Sequence, residues 1–370
     1  MGVLKPRDEP ELAEAVRAAQ SPLSVRGGDT RGMAGPGVAL SVAAMAGVVL
    51  HEPGALTLVV RAGTPVAQVD AVLAAQGQRL AFEPMDHRAL LGTTGAPTIG
   101  GVIAANVSGP RRVAVGAARD FLLGVRFVDG TGTLIRNGGR VMKNVTGYDL
   151  TRLMAGARGA LGVLTEVALK VLPVPQAAAT VTLRGLDPAQ AVAALAAALG
   201  SPFDVTGAAH DVDAGLTRIR VEGFGDSVTY RAGRLVKVLA PWGVAEVQGT
   251  DDVWAGLRDL SDWGVLPGDV WRLSLRPSTA PGVVAALGPR ARGLRMDWGG
   301  GLVWALMPPG VDVRALVSLQ GHATLLRAGA DNPLPRLPPE SAAVAALTMA
   351  LKRRFDPRGI LNPDMAGAPA

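Results

Sequence analysis

The sequence contains no cysteine among its 370 residues. This absence excludes disulfide bridges, thiolate zinc sites, cysteine-ligated iron–sulfur clusters and any prosthetic group attached through a cysteine. Histidine is scarce as well, and the four residues at positions 51, 87, 210 and 322 lack the spacing of metal ligands. We therefore predict that this chain holds no metal.

Long apolar runs are also missing. No run reaches the roughly 18 residues that a membrane-spanning helix needs, and the longest candidate, residues 189–200, is a short alanine-rich amphipathic helix. Residues 1–10 carry charge and lack the apolar core of a signal peptide. We expect no transmembrane segment and a cytoplasmic location, with any membrane association made through partner proteins.

Aromatic residues make up only 4% of the chain, with two tyrosines, although the net charge is +6. A nucleic-acid-binding surface needs clustered basic residues, and single-strand binders add stacking aromatic side chains. Here the arginines are dispersed and accompanied by carboxylates, so we predict no nucleic-acid partner. With 48% apolar residues, the chain is long enough for one large or two medium globular domains.

The composition and the pattern of predicted elements change twice along the chain. Residues 1–173 alternate strand and helix patterns with glycine-rich loops, and Pro173 and Pro175 end this block. Residues 174–335 alternate apolar strands and helices, which is typical of a smaller α+β domain. A proline-rich stretch then leads to a last helix within residues 336–370. We predict an α+β protein with domains at 1–173 and 174–335 and a C-terminal segment that returns to the first domain.

Local patterns predict the boundaries of several elements. Residues 9–20 begin with helix-starting residues and continue with apolar residues at helical spacing, which predicts a helix. A second helix is predicted at residues 66–76, with Thr64 as N-cap and Pro65 at the first position. A short helix is predicted around residues 150–154, where Asp149 is either a helix cap or a functional residue. Residues 92–120 are so rich in small side chains that they favour neither helix nor strand.

Two of the loops are unusually rich in glycine. The first follows a strand and reads Arg26-Gly27-Gly28-Asp29-Thr30-Arg31; the second contains Pro97-Thr98-Ile99-Gly100-Gly101, Asn106, Gly109-Pro110-Arg111-Arg112 and Gly116. Consecutive glycines let several backbone N–H groups point into one concavity, which can bind phosphate oxygens. Small side chains also allow tight backbone packing, which is the structural alternative. Neither loop has the pattern of a Rossmann or P-loop motif.

Taken together, these segments resemble the FAD domain of the vanillyl-alcohol oxidase and p-cresol methylhydroxylase family. The similarity covers residues 5–173 and returns at about 347–365. Further motifs that carry it are Arg119-Asp120, Gly159-Ala160-Leu161-Gly162-Val163-Leu164-Thr165-Glu166 and Phe355-Asp356-Pro357-Arg358-Gly359-Ile360-Leu361-Asn362-Pro363. Within that family, residues 138–166 and Gly-Pro-Arg-Arg are similar to the FAD-binding subunits of glycolate oxidases.

The resemblance implies a set of cofactor contacts. Arg26, Gly27, Gly28, Asp29, Thr30 and Arg31 would surround the pyrophosphate through backbone amides. Pro97, Thr98, Gly100, Gly101 and Asn106 would line the pyrophosphate and flavin side, and Gly109, Arg111, Arg112 and Gly116 would border the cofactor. Gly162, Val163 and Leu164 would lie by the adenine or ribose, and Asn362 near the isoalloxazine ring. Lys143 and Tyr148 are further candidates, with a structural turn as their alternative.

Covalent members of the family attach the flavin to a histidine of the first loop or to a cysteine. The first-loop position here is Asp29, and the chain has no cysteine. We therefore predict FAD bound non-covalently. Because an aspartate beside a pyrophosphate is electrostatically unfavourable, we expect Asp29 to turn outward or to cap a neighbouring amide.

No catalytic residue can be assigned from the sequence. Oxidation of a 2-hydroxy acid needs a base for the hydroxyl proton and a cation for the carboxylate. Catalytic relatives carry histidine-rich motifs that this chain lacks, and His210 and His322 stand alone. Arg272 and Arg276 could face the flavin or form surface ion pairs. All six tryptophans fall in the second domain, as its core or as an interface.

The resemblance implies the FAD-binding subunit of a glycolate (2-hydroxy acid) oxidase or dehydrogenase complex. Such a complex would pass electrons from the hydroxy acid through the flavin to an iron–sulfur subunit, with a homologous catalytic flavoprotein as a further partner. Two alternatives stay open: a self-sufficient FAD-linked oxidoreductase, and a scaffold subunit that has lost the flavin.

Overall fold

A computed structural model describes residues 2–32, 35–140, 147–249, 253–329 and 332–365. The contacts between Cα atoms divide the chain into two compact units. The first contains Met1–Ser108, Gly116–Val174 and Pro339–Ala370, and the second contains Gly109–Val115 and Pro175–Pro338. The second unit therefore includes a seven-residue segment that interrupts the sequence of the first.

Helices and strands alternate along the described residues. The α-helices are α1 (Glu9–Ala18), α2 (Val66–Ala74), α3 (Arg88–Leu91), α4 (Ile99–Ala104), α5 (Arg112–Val115), α6 (Leu150–Met154), α7 (Pro188–Leu199), α8 (Gly225–Leu239), α9 (Val253–Asp259), α10 (Ala280–Leu287), α11 (Val313–Leu316) and α12 (Ala342–Phe355). The strands are β1 (Leu23–Arg26), β2 (Val38–Ser41), β3 (Val48–Glu52), β4 (Thr57–Arg61), β5 (Gln78–Arg79), β6 (Leu122–Val128), β7 (Leu134–Gly138), β8 (Val163–Lys170), β9 (Leu172–Pro173), β10 (Ala177–Arg184), β11 (Val205–Asp211), β12 (Leu216–Gly223), β13 (Glu246–Gly249), β14 (Asp269–Leu275), β15 (Gly293–Asp297), β16 (Leu302–Met307) and β17 (Gly321–Arg327).

The first unit contains an antiparallel five-stranded sheet in the order β3-β4-β8-β6-β7. A second, parallel pair joins β1 to β2. Leu23 of β1 also bridges to Leu361, so the C-terminal segment adds to this pair. Buried apolar side chains of α1, β1 and the C-terminal segment form one core, which includes Leu12, Val16 and Leu361. Strand β1 therefore pairs with β2 and with the C-terminal segment, and these contacts position the loop that follows it.

The second unit contains an antiparallel eight-stranded sheet in the order β13-β10-β12-β11-β15-β16-β14-β17. Helices α7, α8 and α10 contribute to the large apolar core of this unit, which also contains the fully buried Trp271. Sheets and helices of both units confirm the predicted α+β class. Among the described residues, no helix has the length and apolar character to cross a lipid bilayer.

The tryptophans of the second unit are mostly core residues. Those at positions 254, 263, 271 and 304 are 5% exposed or less. Each of these, and Trp298, has an arginine guanidinium within 6 Å of its ring centroid. The arginine and tryptophan side chains of this unit thus pack against one another.

Several predicted helix ends are confirmed. Helix α1 begins after Asp8, whose carboxylate accepts a hydrogen bond from the Glu11 amide at 2.9 Å. It ends at Ala18, two residues before the predicted end. Helix α6 spans the predicted residues, and Asp149 caps it by accepting from the Arg152 amide at 2.9 Å. Asp149 is therefore a helix cap.

Two local predictions are wrong. Thr64 does not cap α2, because its hydroxyl donates to the Arg61 carbonyl at 2.7 Å and accepts from the Gly47 amide, and Pro65 occupies the cap position. Residues 92–120 were expected to contain no helix, yet they contain α4 and α5. The Thr98 side chain accepts from the Gly101 amide and so begins a helix despite the glycines.

Candidate functional site

The first unit contains an open cleft with about 940 Å³ of empty space, part of which is open to solvent. Both glycine-rich loops, the turn before β8 and the C-terminal segment contribute to it. Its lining residues are Val25, Arg26, Gly27, Gly28, Asp29, Thr30, Arg31, Val42, Ala62, Thr98, Gly100, Gly101, Ala104, Ala105, Met154, Arg158, Gly159, Gly162, Val163, Leu164, Asn362 and Met365.

The first loop, which lines this cleft, contains a row of backbone amides without an acceptor among the described residues. The amide N–H groups of residues 27–31 have no hydrogen-bond acceptor among the described residues. Asp29 has a φ of +55°, so the chain changes direction in the middle of the row. Successive amides around a left-handed residue form a concavity that binds anions. The five amides are therefore a candidate phosphate site.

The glycines of the first loop allow close packing against the second loop. A Cβ atom on Gly27 would lie 2.2 Å from the Thr98 Oγ1 atom, and one on Gly28 would lie 1.6 Å from the Ala96 carbonyl oxygen. In the second loop, a Cβ on Gly100 would lie 2.6 Å from the Ala62 Cβ. Tight backbone packing, the structural alternative, therefore accounts for these glycines at the same time as they form the cleft.

The second loop does not offer equivalent donors. The Ile99 amide donates to the Thr64 carbonyl at 2.9 Å, and the Gly100 amide donates to the Ala62 carbonyl at 2.8 Å. The Gly101 amide donates to the Thr98 hydroxyl. Thr98, Gly100 and Gly101 line the cleft as expected. They form its wall, whereas the free donors lie in the first loop.

Two arginines in the cleft lack a carboxylate within 4 Å among the described residues. Arg31 donates from Nη1 to the Gly101 carbonyl at 2.5 Å, and its buried Nε has no acceptor. Burial and the positive charge of Arg158 lower the pKa of Arg31 to about 10. Burial also lowers the pKa of Arg158. The cleft therefore carries uncompensated positive charge, which favours an anion.

The remaining two charged side chains of the first loop, Arg26 and Asp29, neutralise each other. The Arg26 Nη1 atom donates to the Asp29 carboxylate at 2.9 Å, and the Asp29 side chain is 48% exposed. Asp29 thus turns to the solvent side, as its position beside a phosphate site predicts. Its carboxylate is paired with Arg26 and not with Arg31 or Arg158.

Asn362 fixes the backbone at the edge of the cleft. Its Oδ1 accepts from the Val25 amide at 2.7 Å, and its Nδ2 donates to the Arg158 carbonyl at 2.8 Å. The side chain is 4% exposed. Asn362 lines the cleft, but its polar atoms hold the end of β1 against the turn before β8.

A buried lysine, which the sequence did not identify, supports Asn362. The Lys352 ammonium donates to the carbonyls of Ala160 and Leu361 at 2.7 and 2.5 Å and to the Asp356 carboxylate at 2.7 Å. Asp356 in turn accepts from the Leu361 amide. The motif Phe355 to Pro363 therefore carries its own anchor, which holds the C-terminal segment beside the cleft.

Three of the expected site residues of the second loop do not line the cleft. The Pro97 carbonyl accepts from the Val66 amide at 2.8 Å, and the Asn106 Oδ1 accepts from the Arg119 amide at 3.0 Å. Gly116 has a φ of +94° and lies against Asp120. Their hydrogen bonds and turns shape the second loop, and a contact with a cofactor stays a prediction for them.

Gly109, Arg111 and Arg112 also lie outside the cleft lining, and they belong to the second unit. Arg111 forms a two-bond ion pair with Glu222, at 2.7 and 2.5 Å. The Arg112 guanidinium lies 4.7 Å from the Trp298 ring centroid, and the Gly109 carbonyl accepts from Trp298 Nε1 at 3.0 Å. This segment is packed within the second unit, and its proposed cofactor contact stays a prediction from the resemblance.

Several lining residues were missed from the sequence: Val42, Ala62, Ala104, Ala105, Met154, Arg158, Gly159 and Met365. Arg158 had a recognisable signal, because it interrupts the glycine-rich run just before Gly162 to Leu164. The expected contacts of Gly162, Val163 and Leu164 with the cleft agree with the lining. Lys143 lies outside the described residues, and Tyr148 is 89% exposed.

The histidines and arginines considered for catalysis lie in the second unit. His210 is fully buried in β11, where its Nδ1 is 2.8 Å from the Thr217 hydroxyl, and burial lowers its pKa to about 4. His322 is exposed on β17. Arg272 lies over Trp298, and Arg276 donates to Gln320. None of these four residues lines the cleft of the first unit.

Comparison with known proteins agrees with this geometry. Residues 1–138 match the family model described as FAD binding domain. The chain is 36% identical over 351 residues to glycolate oxidase subunit GlcE of Escherichia coli, covering 93% of this chain and 92% of that protein. It is 39% identical over 121 residues to glycolate oxidase subunit GlcD of Bacillus subtilis, covering 33% of this chain and 24% of that protein.

A solved structure of alkyldihydroxyacetonephosphate synthase has the same fold, with a TM-score of 0.69 and 18% identity over 98% of this chain and 76% of that one. This likeness confirms the predicted p-cresol methylhydroxylase type of fold. The family model and these relatives identify the chain as a member of an FAD-binding oxidoreductase family that includes glycolate oxidase subunits. Because the similarity to GlcE extends over nearly the whole length of both proteins, the chain belongs to the family of the glycolate oxidase subunit GlcE.

Proposed function

We propose that this chain holds FAD non-covalently in the cleft of the first unit, as a subunit of a complex that oxidises glycolate or a close 2-hydroxy acid. The observation that carries the proposal is the row of amides at residues 27–31, which has no acceptor among the described residues. Of these five residues, Thr30 is buried, Gly27, Gly28 and Arg31 are half-buried, and Asp29 is exposed. Backbone donors that are shielded from water without a partner are rare in folded proteins. A diphosphate would supply the missing acceptors.

The lining residues fit the parts of a dinucleotide. The first-loop amides would bind the diphosphate, and Thr98, Gly100 and Gly101 would form a wall without bulky side chains. The backbone of residues 162–164 would border the adenosine end, and Asn362 would hold the turn opposite. Once bound, FAD would supply the electron acceptor for the oxidation. The chain itself would bind, orient and partly bury the cofactor.

The side chains around the cleft support non-covalent attachment. The first-loop position that carries a histidine in covalent relatives is Asp29, which pairs with Arg26. Histidine is absent from the cleft lining of the described residues, and the chain has no cysteine. Neither type of flavin linkage therefore has its nucleophile here.

The substrate and the partners are proposed from the relatives. GlcE and GlcD are both named as glycolate oxidase subunits, and the GlcD match shows a second subunit type similar to part of this chain. We infer a hetero-oligomer in which a homologous flavoprotein contributes the base for the hydroxy acid. Electrons would then pass to an iron–sulfur subunit, since this chain has no cysteine for a cluster. We place this complex in the cytoplasm, with any membrane association supplied by the partners.

Cofactor binding is tested by titrating dialysed protein with FAD and following flavin fluorescence. We expect saturable binding of one FAD per chain, and acid precipitation should release all of the flavin into the supernatant. Yellow colour that stays with the precipitate would contradict non-covalent attachment. A dialysed protein without affinity for FAD would support the scaffold alternative and overturn the cofactor proposal.

The role in a complex is tested by purifying the tagged chain from its native host, with flavin and iron analysis of the eluate. We expect a homologous flavoprotein and an iron-containing subunit to co-purify, and glycolate to reduce an artificial acceptor only in that assembly. If the chain purified alone reduces the acceptor with glycolate at the same rate, it is a self-sufficient oxidoreductase and the subunit proposal fails.

A further inference from the structure

We propose that Arg31 and Arg158 form a two-arginine diphosphate site, and that the fold holds Arg158 there at the expense of its own stability without cofactor. This inference rests on the proposed FAD function and extends it. It assigns a role to Arg158, a side chain that the sequence motifs did not single out, and it predicts opposite effects of one substitution on folding and on binding.

Arg31 is held in position by the second loop. Its Nη1 donates to the Gly101 carbonyl at 2.5 Å, and this bond crosses from one glycine-rich loop to the other. Its Nε is buried and has no acceptor. Arg31 is the last residue of the amide row at residues 27–31, which also lacks acceptors, and it lines the same cleft. An anionic ligand in this cleft could bind both kinds of donor.

The backbone of Arg158 is held by α4 and the C-terminal segment, and through the latter by β1. Its φ is +51°, a left-handed conformation that costs energy for a residue other than glycine. Its amide donates to the Ala104 carbonyl at 2.8 Å, and its carbonyl accepts from Asn362 Nδ2 at 2.8 Å. Asn362 is itself bound to Val25 of β1. The structure therefore keeps this side chain at the cleft against a local conformational cost.

The charges of the lining leave two positive groups for a ligand. Within the described ranges, four charged side chains line the cleft, namely Arg26, Asp29, Arg31 and Arg158. Asp29 is bound to Arg26. Arg31 and Arg158 have no carboxylate within 4 Å in the described parts of the chain, and they repel each other. Because each phosphate of a dinucleotide carries one negative charge, a diphosphate would neutralise the pair.

Without a ligand, this arrangement destabilises the folded first unit. A buried cation that has lost water and gained no anionic partner raises the free energy of the native state. The lowered pKa values of Arg31 and Arg158 have this cause. A bound diphosphate removes the penalty, since charge-assisted hydrogen bonds are among the stronger polar interactions in proteins. Removing one arginine should therefore help the free protein and weaken the complex.

The test compares Arg158→Met with Arg158→Lys and with Arg354→Met, which removes an exposed arginine at the end of α12. Thermal unfolding is measured without ligand, and FAD and ADP affinities are measured by fluorescence titration and calorimetry. For Arg158→Met, we expect a higher unfolding temperature without ligand and Kd values for FAD and ADP that both rise roughly tenfold or more. Lysine should restore part of both affinities, and Arg354→Met should change neither.

Each contrary result has a clear meaning. If Arg158→Met lowers the unfolding temperature and leaves both affinities unchanged, Arg158 is a structural residue and the inference is wrong, although FAD binding stands. If FAD affinity falls while ADP affinity does not, the arginine serves the flavin end and the diphosphate site is wrong. If the wild-type chain binds neither FAD nor ADP, the proposed function itself has failed.

Discussion

In the first unit, Arg31 and Arg158 lie in a cleft without a carboxylate within 4 Å among the described residues, and burial lowers the pKa of both. In the second unit, Arg111 binds Glu222 through two bonds, and Arg295 binds Asp211 and Asp262. Burial alone would lower the pKa of Arg295, but its hydrogen bond to Asp262 and the two carboxylate charges raise it.

The contrast separates a binding region from a structural region within one chain. Both units bury arginines, and in the second unit carboxylates bind Arg111 and Arg295. Burial also lowers the pKa of Arg218, Arg314 and Arg327 there, so a lowered arginine pKa by itself does not distinguish the units. In the first unit, unpaired cations and unpaired amides occur together in one cleft. Unsatisfied polar groups that gather on one concave surface indicate a ligand, whereas arginine content alone does not.

The largest expected change in stability comes from removing a buried carboxylate that pairs with arginine in the second unit. Glu222→Ala removes the carboxylate that binds Arg111 at 2.5 Å and lies 3.7 Å from Arg220, both of which are largely buried. Loss of one partner of a buried pair leaves an uncompensated charge, so we expect the free energy of unfolding to fall by about 3–5 kcal/mol. Urea unfolding measures this change.

An exposed ion pair of the same unit is the control for that experiment. Arg184 and Glu246 are 3.2 Å apart, with side chains 60% and 50% exposed. Glu246→Ala should change the free energy of unfolding by less than about 1 kcal/mol. Equal losses for Glu222→Ala and Glu246→Ala would contradict the distinction between buried and exposed pairs on which the comparison rests.

His210 is an exception in the second unit, because its Nε2 is buried and has no partner. Burial lowers its pKa from 6.5 to about 4, so the folded state holds the neutral imidazole. Its contribution to stability is full above pH 6.5 and is lost as the pH falls through about 4. The loss should be about 3 kcal/mol.

Unfolding by urea at several pH values between 7 and 4 tests this expectation with His210→Gln, which keeps a polar group for Thr217. We expect the substituted chain to have a flatter dependence of stability on pH than the wild type. His51→Gln is the control variant, since the His51 ring bonds Gln78 and is not fully buried. A wild-type profile that stays parallel to that of His210→Gln would show that His210 does not titrate between folded and unfolded states.

A smaller effect is expected where the two loops of the first unit touch. Gly28→Ala would place a Cβ atom 1.6 Å from the Ala96 carbonyl oxygen, whereas a Cβ on Gly35 meets no atom within 4 Å. We expect Gly28→Ala to lower the free energy of unfolding by about 1–3 kcal/mol and to weaken FAD binding. Gly35→Ala should change neither, as measured by unfolding and by FAD titration. Equal behaviour of both variants would mean that the close contact is not needed.

The sequence predicted those parts of the fold where local signals are strong. Helix α6 has the predicted boundaries, since a capping aspartate marks its start. Strand β11 was not predicted, although His210 lies on it, because its small residues (Val205–Asp211) have weak strand propensity and only pairing with β12 and β15 makes it a strand.

The site was predicted in outline by its two glycine-rich loops. Their contact could not be predicted, because the Gly28–Ala96 approach joins residues far apart in the sequence. The sequence also could not show which donors stay free. Gly100 and Gly101 look like phosphate-binding glycines, yet their amides donate to Ala62 and Thr98. Only the three-dimensional contacts separate such satisfied groups from the free amides of residues 27–31.

The most direct test of this account is amide hydrogen exchange of the dialysed chain with and without FAD, read by mass spectrometry. We predict that FAD slows exchange in peptides covering residues 25–32 and 156–164, because the free donors lie in the first loop and residues within 158–164 contribute to the same cleft. Unchanged exchange at residues 25–32 in a chain saturated with FAD would contradict the account.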